Sequence, residues 1–145
     1  MIGLLQRVSQ ACVEVHQKNI ARIGAGLVIL IGIEKDDNEN SADRLLKRLL
    51  GYRVFPDKAG KMNLTLSDTQ GELLLVPQFT LAADTKKGMS PSFSSAAPPE
   101  KGKALFDYLL TQARSHHKKT FAGQFGADMQ LSLTNDGPVT FWLQA

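Results

Sequence analysis

The most informative stretch of the chain is Thr134-Asn135-Asp136-Gly137-Pro138-Val139-Thr140. Runs of β-prone residues flank its centre at 131–134 and 139–143. Asp-Gly between two such runs predicts a hairpin, because glycine adopts positive φ without steric cost. Pro138 removes an N–H donor where the second strand should begin, and the bond before a proline can be cis. Two interpretations remain open: a hairpin whose proline lies on an edge strand, or exposed backbone that is itself the functional group.

The composition is typical of a globular protein. The 145 residues are enough for one domain, 1–145, and the values of 43% hydrophobic and 21% charged residues are ordinary. A net charge of +3 and a sequence pI of about 9.1 are compatible with a polyanionic partner but do not require one. Because Cys12 is the single cysteine, no internal disulfide is expected, and no Cys/His cluster predicts a metal site.

The chain shows no pattern that would direct it to a membrane. Its first residues lack the basic start, apolar run and small-residue cleavage site of a signal peptide. The longest apolar run, 27–33, is too short to span a bilayer. We therefore expect a soluble, cytoplasmic protein.

Hydrophobic periodicity predicts a series of short strands. Residues 11–15 alternate between apolar and polar side chains, as in a half-buried strand. The run 27–33 is apolar at every position except Gly32, which predicts a strand buried on both faces. The same criteria predict further strands at 2–8, 20–23, 52–55 and 72–76.

Two main helices complete the prediction. Ser41 is the expected N-cap of a helix that ends near Leu50, and Pro99 is expected to begin a second helix that ends near His117. Strands, a helix, further strands, a long helix and a final hairpin together predict an α+β fold. We expect a curled antiparallel or mixed β-sheet that is barrel-like.

The residue types suggest little conspicuous catalytic chemistry. The sequence has no phosphate-binding loop, no nucleophile elbow and no zinc-binding motif. Polar Gln78 and Thr80 directly follow a buried strand, where functional groups often lie, and the long loop 82–99 is also typical of a functional segment. An enzyme of this kind would rely on positioning and on backbone dipoles, without a cofactor or a metal.

Several motifs in one order resemble the D-aminoacyl-tRNA deacylases nearly from end to end. The two most specific are Gln78-Phe79-Thr80-Leu81-Ala82-Ala83-Asp84-Thr85 and Asn135-Asp136-Gly137-Pro138-Val139-Thr140-Phe141. Supporting matches are Leu5-Gln6-Arg7-Val8, Tyr52-Arg53-Val54-Phe55, Lys61-Met62-Asn63, Pro91-Ser92-Phe93-Ser94, Gly123-Gln124-Phe125 and Ala127-Asp128-Met129.

The resemblance implies a homodimer whose active sites lie at the subunit interface. A cis Gly137-Pro138 peptide of one subunit would enter the pocket of the other. The implied reaction is hydrolysis of the ester that joins a D-amino acid, or glycine, to the 3′-terminal adenosine of tRNA. This is a proofreading step in translation quality control. The implied catalytic residues are Gln78, Phe79 and Thr80, and the implied substrate-binding residues are Gly137, Pro138, Asn135, Pro77, Phe125 and Met129.

The resemblance also implies how chirality is checked and leaves the mechanism open. Carbonyls of Gly137 and Pro138 would occupy the space that an L side chain needs, and N–H groups near Phe79 and Thr80 would bind the oxyanion. Either the Thr80 hydroxyl attacks the ester, or water attacks with help from the 2′-hydroxyl of the tRNA. We favour the second route because no base is evident beside Thr80.

Two positions depart from the family pattern. Pro77 stands where the deacylases usually have serine, so a hydroxyl and an N–H donor are lost there. Ser90 stands where they usually have arginine, which predicts weaker and less salt-dependent tRNA binding if that arginine contacts phosphates.

Two alternative functions also fit parts of the sequence. The basic pI and barrel-like β pattern also fit a non-catalytic nucleic-acid-binding module, although the charge excess is small. The same fold could instead edit tRNA mischarged with a small L-amino acid, which would need a roomier pocket and a trans Gly137-Pro138 peptide.

Overall fold

The computed structural model describes residues 1–145 and confirms the α+β class with a curled, mixed, barrel-like sheet. Its strands are β1 Ile2–Val15, β2 Lys18–Ile23, β3 Gly26–Gly32, β4 Phe55–Pro56, β5 Met62–Leu64, β6 Glu72–Pro77, β7 Thr120–Ala122 and β8 Gln130–Gln144. Its helices are α1 Glu39–Gly51, the short α2 Leu66–Thr69 and α3 Pro99–His116, with a 3₁₀ helix at Phe79–Ala82. No helix is long and apolar enough to cross a membrane.

One long strand, β1, organises the sheet. Its first half pairs antiparallel with β3 and its second half pairs antiparallel with β2. Along its opposite side it pairs with β8 over nearly its whole length. Beyond β3 the sheet continues through β6 and β7, which are both added in parallel.

The core lies on both faces of this sheet. Ile29 and Ile31 belong to a cluster that packs against α1 and α3, whereas Val28 belongs to a second cluster with residues of β1, β2 and β6. Strand β3 therefore buries both faces, as its continuous apolar run predicts.

The predicted C-terminal hairpin is wrong. Residues 130–144 form a single strand that pairs with β1, and no chain reversal occurs at Asn135–Pro138. Gln6 pairs with Thr140 and Val8 pairs with Asn135, so the extra residues of β8 form a bulge there. The local turn signal is real, but pairing along the full length of β1 overrides it.

Several element boundaries also differ from the prediction. Helix α1 begins earlier than expected, because Asn38 is the N-cap and Ser41 is its partner in a capping box. The expected strand 52–55 contributes only Phe55–Pro56. Short α2 and β7 were not predicted, since a single turn of helix and three strand residues give little periodic signal.

The close approach of β3 to β6 yields a stability prediction. A Cβ at Gly26 would lie 1.8 Å from the backbone oxygen of Glu72, closer than any real contact. We expect Gly26→Ala to lower the free energy of unfolding by about 3 kcal/mol or more, as measured by urea denaturation. At Gly51, where a Cβ meets no atom within 4 Å, the Gly51→Ala control should change stability by less than about 1 kcal/mol. Equal effects at the two glycines would contradict the proposed clash.

Candidate active site

A cavity of about 500 Å³ opens where strands β3 and β6 end. Its lining is mainly apolar and comes from the strand ends, the 3₁₀ helix, the first turn of α3 and the loop 125–129. Asp128 is the one charged residue among those that line it. The lining residues are Ile31, Ile33, Val76, Pro77, Gln78, Phe79, Ala97, Pro99, Gly102, Phe125, Gly126, Ala127, Asp128, Met129 and Leu131.

The 3₁₀ helix places two unpaired backbone donors at the edge of this cavity. The N–H of Gln78 donates to the carbonyl of Ile31 (2.7 Å), which holds the end of β6 beside β3. Phe79 and Thr80 begin the 3₁₀ helix, so their N–H groups have no carbonyl partner within it. None of the turn, loop or side-chain hydrogen bonds of the chain uses either group. Both donors are therefore free to bind an acceptor.

The Thr80 hydroxyl has an amide as its neighbour. Gln78 Nε2 donates to Thr80 Oγ1, and no carboxylate or imidazole hydrogen-bonds to that hydroxyl. An amide cannot take a proton from a hydroxyl at neutral pH. The geometry thus provides no base that would activate Thr80 as a nucleophile.

Phe125, Met129 and Pro77 form another part of the cavity wall. The ring of Phe125 packs on that of Phe106 in α3, with centroids 6.3 Å apart. Met129 Sδ accepts a hydrogen bond from the N–H of Gln124 (3.4 Å). Pro77 is the last residue of β6. Strand β7 ends at Ala122, which lies opposite Leu75, so no residue of β7 lies opposite Pro77. The missing N–H of Pro77 therefore interrupts no pairing between these two strands.

The Gly-Pro pair lies at the tip of the β8 bulge, with both residues exposed. The Gly137-Pro138 peptide is cis, the isomer implied by the resemblance. Asn135 closes the base of the bulge, because its Oδ1 accepts the N–H of Val139 (2.8 Å) and its Nδ2 donates to Thr140 Oγ1 (2.7 Å).

Arg7, which was not among the predicted site residues, anchors the bulge to the sheet. Its Nε donates to the carbonyl of Asp136 (2.9 Å) and its Nη1 donates to the carbonyl of Val54 (2.7 Å). Its side chain is only 12% exposed. The available signal was an arginine that follows a mainly apolar strand start at 2–5, but its contact with Asp136 depends on the register between β1 and β8.

The structure brings some of the predicted site residues together and keeps others apart. Pro77, Gln78, Phe79, Phe125 and Met129 line the cavity, and Thr80 adjoins it through Gln78. The remaining three do not line it: Asn135, Gly137 and Pro138. Their bulge lies on β8, opposite residues 6–8 of β1, and those residues pair with 26–28 at the start of β3. The cavity opens near the other end of β3, at 31–33, so the bulge and the cavity lie at different positions along the sheet.

Comparisons with known proteins agree with one another. A family model described as D-Tyr-tRNA(Tyr) deacylase matches residues 4–144. A D-aminoacyl-tRNA deacylase from Nitrosococcus oceani is 63% identical over 144 residues, covering 99% of this chain and 93% of that protein. Another from Alkalilimnicola ehrlichii is 61% identical over 145 residues, covering 100% of this chain and 97% of that protein.

Solved structures show the same fold. The c-Myc DNA Unwinding Element Binding Protein matches with a TM-score of 0.96 at 36% identity, covering 100% of this chain and 99% of that one. A probable eukaryotic D-amino acid tRNA deacylase matches with a TM-score of 0.89 at 19% identity, covering 99% and 98%. The second likeness concerns the fold alone.

Free backbone donors beside an apolar cavity are the arrangement with which hydrolases stabilise the oxyanion formed at an ester carbonyl. The protein is accordingly an enzyme of the hydrolase class. The chain belongs to the D-Tyr-tRNA(Tyr) deacylase family.

Proposed function

We propose that the protein, as one domain spanning 1–145, hydrolyses the ester bond of D-aminoacyl-tRNA and of glycyl-tRNA. The unpaired N–H groups of Phe79 and Thr80 carry this proposal, since they can bind the oxyanion of the tetrahedral intermediate. The apolar cavity beside them accommodates the aminoacyl group and the terminal adenosine. Free tRNA and D-amino acid are the products, and the cytoplasm is the compartment in which this substrate occurs.

The second part of the proposal is that each site is completed by another copy of the chain. Gly137 and Pro138 are exposed at the tip of an anchored bulge that does not line the cavity of its own chain. In a two-fold symmetric homodimer, the bulge of one subunit would face the cavity of its partner, and two equal sites would form. The separation of bulge and cavity within one chain supports this arrangement.

Chirality is then checked by backbone atoms. Carbonyl oxygens of Gly137 and Pro138 would fill the space that the side chain of an L-amino acid needs. Because Arg7 and Asn135 fix the bulge, these oxygens cannot move aside as a flexible side chain could. Rejection by a rigid clash does not depend on which D side chain the substrate carries.

The decisive assay is hydrolysis of D-Tyr-tRNA and L-Tyr-tRNA by the purified protein. We expect rapid release of D-tyrosine and no measurable release of L-tyrosine. Selective hydrolysis of L-Ala-tRNA would instead support the editing alternative. Binding without turnover would support the nucleic-acid-binding alternative, since one structural neighbour is a c-Myc DNA Unwinding Element Binding Protein.

Arg7 gives a prediction about discrimination. Replacing it with alanine removes two hydrogen bonds from a charged donor, each worth about 1.5–3 kcal/mol, and releases the carbonyl of Asp136. We expect Arg7→Ala to lower the ratio of D to L turnover about tenfold or more, equivalent to about 1.4 kcal/mol. The measurement is kcat/KM on both charged tRNAs.

The matched control for this prediction is Arg53→Ala. Arg53 is exposed and donates only to Asn63 Oδ1 (3.2 Å), so its removal should leave the ratio unchanged. An unchanged ratio in Arg7→Ala together with a lower melting temperature would reduce Arg7 to a purely structural role.

A further inference from the structure

A loop beside the cavity is exposed along its length, and its two ends are joined by backbone hydrogen bonds. Asp84 N–H donates to Ser92 O (2.7 Å), and Ser92 N–H donates to Asp84 O (3.0 Å). Every residue of the loop 85–91 is exposed, and the side chain of Met89 is fully so. We call this segment, 84–92, the lysine loop.

The base of the lysine loop adjoins the cavity edge. Phe93 follows Ser92 directly, and its ring packs on that of Phe79 with centroids 5.2 Å apart. Phe79 in turn lines the cavity and is 60% exposed. A substrate that leaves the cavity along Phe79 would pass these two rings and reach the loop.

Two unpaired cations give the loop its charge. Lys86 and Lys87 are adjacent and exposed, and neither side chain forms a hydrogen bond or ion pair with the rest of the protein. Asp84, the one carboxylate of the loop, accepts the backbone N–H of Lys86 through its Oδ1 (2.9 Å). The loop thus offers two free ammonium groups, while Ser90 contributes none.

We propose that Lys86 and Lys87 bind phosphates of the single-stranded 3′ end of the tRNA, next to the adenosine that occupies the cavity. This inference rests on the proposed function and names where the polyanionic part of that substrate lies. A lysine ammonium binds phosphate as a point charge and does not read sequence, so the contact serves every tRNA. It would also supply positive charge to a loop whose Ser90 replaces the arginine usual in the family.

The test compares two substrates with and without phosphates. Lys86→Ala/Lys87→Ala is assayed on D-Tyr-tRNA and on 3′-O-D-tyrosyl-adenosine. We expect kcat/KM on the tRNA to fall roughly tenfold at low salt, and its logarithmic salt dependence to flatten by about 0.7 per lost contact. Turnover of the tyrosyl-adenosine, which has no phosphate, should stay within about twofold of the wild-type value. The charge reversal Lys86→Glu/Lys87→Glu should enlarge the loss on the tRNA alone.

The matched control is Lys118→Ala/Lys119→Ala, another adjacent and exposed lysine pair that removes the same charge. It lies at the opposite end of β6 from the cavity: the carbonyl of Lys119 accepts the N–H of Leu73, whereas the cavity is lined by Val76 and Pro77, about 10 Å or more further along that strand at about 3.3 Å per residue. An equal loss in this control, an equal loss on tyrosyl-adenosine, or an unchanged salt dependence would overturn the inference.

Failure of the proposed function would look different. A wild-type protein that hydrolyses neither substrate would refute the deacylase activity. Affinity of the same variants for uncharged tRNA would then still decide the role of the lysine loop. Weakened binding in Lys86→Ala/Lys87→Ala and unchanged binding in the control would support it, and equal affinities would refute it.

Discussion

Gly137→Ala is expected to raise the hydrolysis of L-Tyr-tRNA about a hundredfold, equivalent to about 2.7 kcal/mol. Gly137 has φ of +138°, a conformation that a residue with a Cβ rarely adopts. Its Cβ would lie 2.7 Å from Val139 Cγ2 and 3.1 Å from Arg7 Nη2. Because Val139 is buried and cannot turn aside, the backbone at Gly137 must move, and the carbonyls proposed to exclude an L side chain would move with it. Hydrolysis of D-Tyr-tRNA should fall less than tenfold.

Gly60→Ala is the matched control for backbone strain. Gly60 also has positive φ (+80°), but a Cβ there would meet no atom within 4 Å, and it lies in the turn between β4 and β5. Its replacement should leave both substrate rates unchanged. Retained rejection of L-Tyr-tRNA in Gly137→Ala would contradict the role assigned to the bulge.

Mixed dimers distinguish an active site that is shared between two subunits from an active site that lies within one subunit. Ala97→Trp should fill the cavity, which Ala97 lines, and abolish activity while leaving the bulge intact. When Gly137→Ala is unfolded and refolded with an excess of Ala97→Trp, most of the functional cavities, which belong to Gly137→Ala chains, would face an unmodified bulge in a shared site. With a tenfold excess, L-Tyr-tRNA hydrolysis should drop about tenfold, whereas D-Tyr-tRNA hydrolysis per Gly137→Ala chain should not fall and should recover whatever the substitution had cost. A site contained within one chain would show no such drop.

The bulge itself illustrates what a sequence can and cannot specify. Asp-Gly is a local turn signal, and within Asn135–Pro138 nothing distinguishes a hairpin from a bulge. The distinction depends on the partner strand, because residues 130–144 extend along the whole of β1. Residues 9 and 10, between the two expected strands 2–8 and 11–15, are Ser and Gln. The absence of a glycine or proline there is the feature that could have indicated one long strand.

The sequence predicted candidate site residues that directly follow a strand. It did not predict those that depend on contacts between segments distant in sequence. Gln78 and Thr80 come directly after a buried run, so their place at a strand end follows from periodicity alone. Phe125 and Met129 came only from the resemblance, since their loop meets the cavity through contacts with α3 and β6. Arg7 was missed because its partner, Asp136, is distant in sequence and is brought near by strand register.

The largest effect on the rate of hydrolysis is expected from a change in the substrate. Removing the 2′-hydroxyl of the terminal adenosine should slow D-Tyr-tRNA hydrolysis about 10²–10⁴-fold, the range typical of a lost general acid–base group. Under the proposed mechanism the free N–H groups of Phe79 and Thr80 bind the oxyanion, but no base hydrogen-bonds to Thr80, so help in activating water is expected from the tRNA. The rate should be measured at saturating enzyme and divided by the uncatalysed hydrolysis rate of the same substrate, because the 2′-hydroxyl also changes the reactivity of the ester.

Thr80→Val completes this prediction, since valine keeps the branched shape of threonine and replaces its hydroxyl with a methyl group. We expect less than about a tenfold loss of D-Tyr-tRNA hydrolysis, whereas removing a true nucleophile costs on the order of 10⁶ in a serine hydrolase. The backbone N–H at this position is retained, so its proposed bond to the oxyanion would be unaffected. An inactive Thr80→Val that folds normally, together with rapid hydrolysis of the 2′-deoxy substrate, would establish the hydroxyl of Thr80 as the attacking group instead.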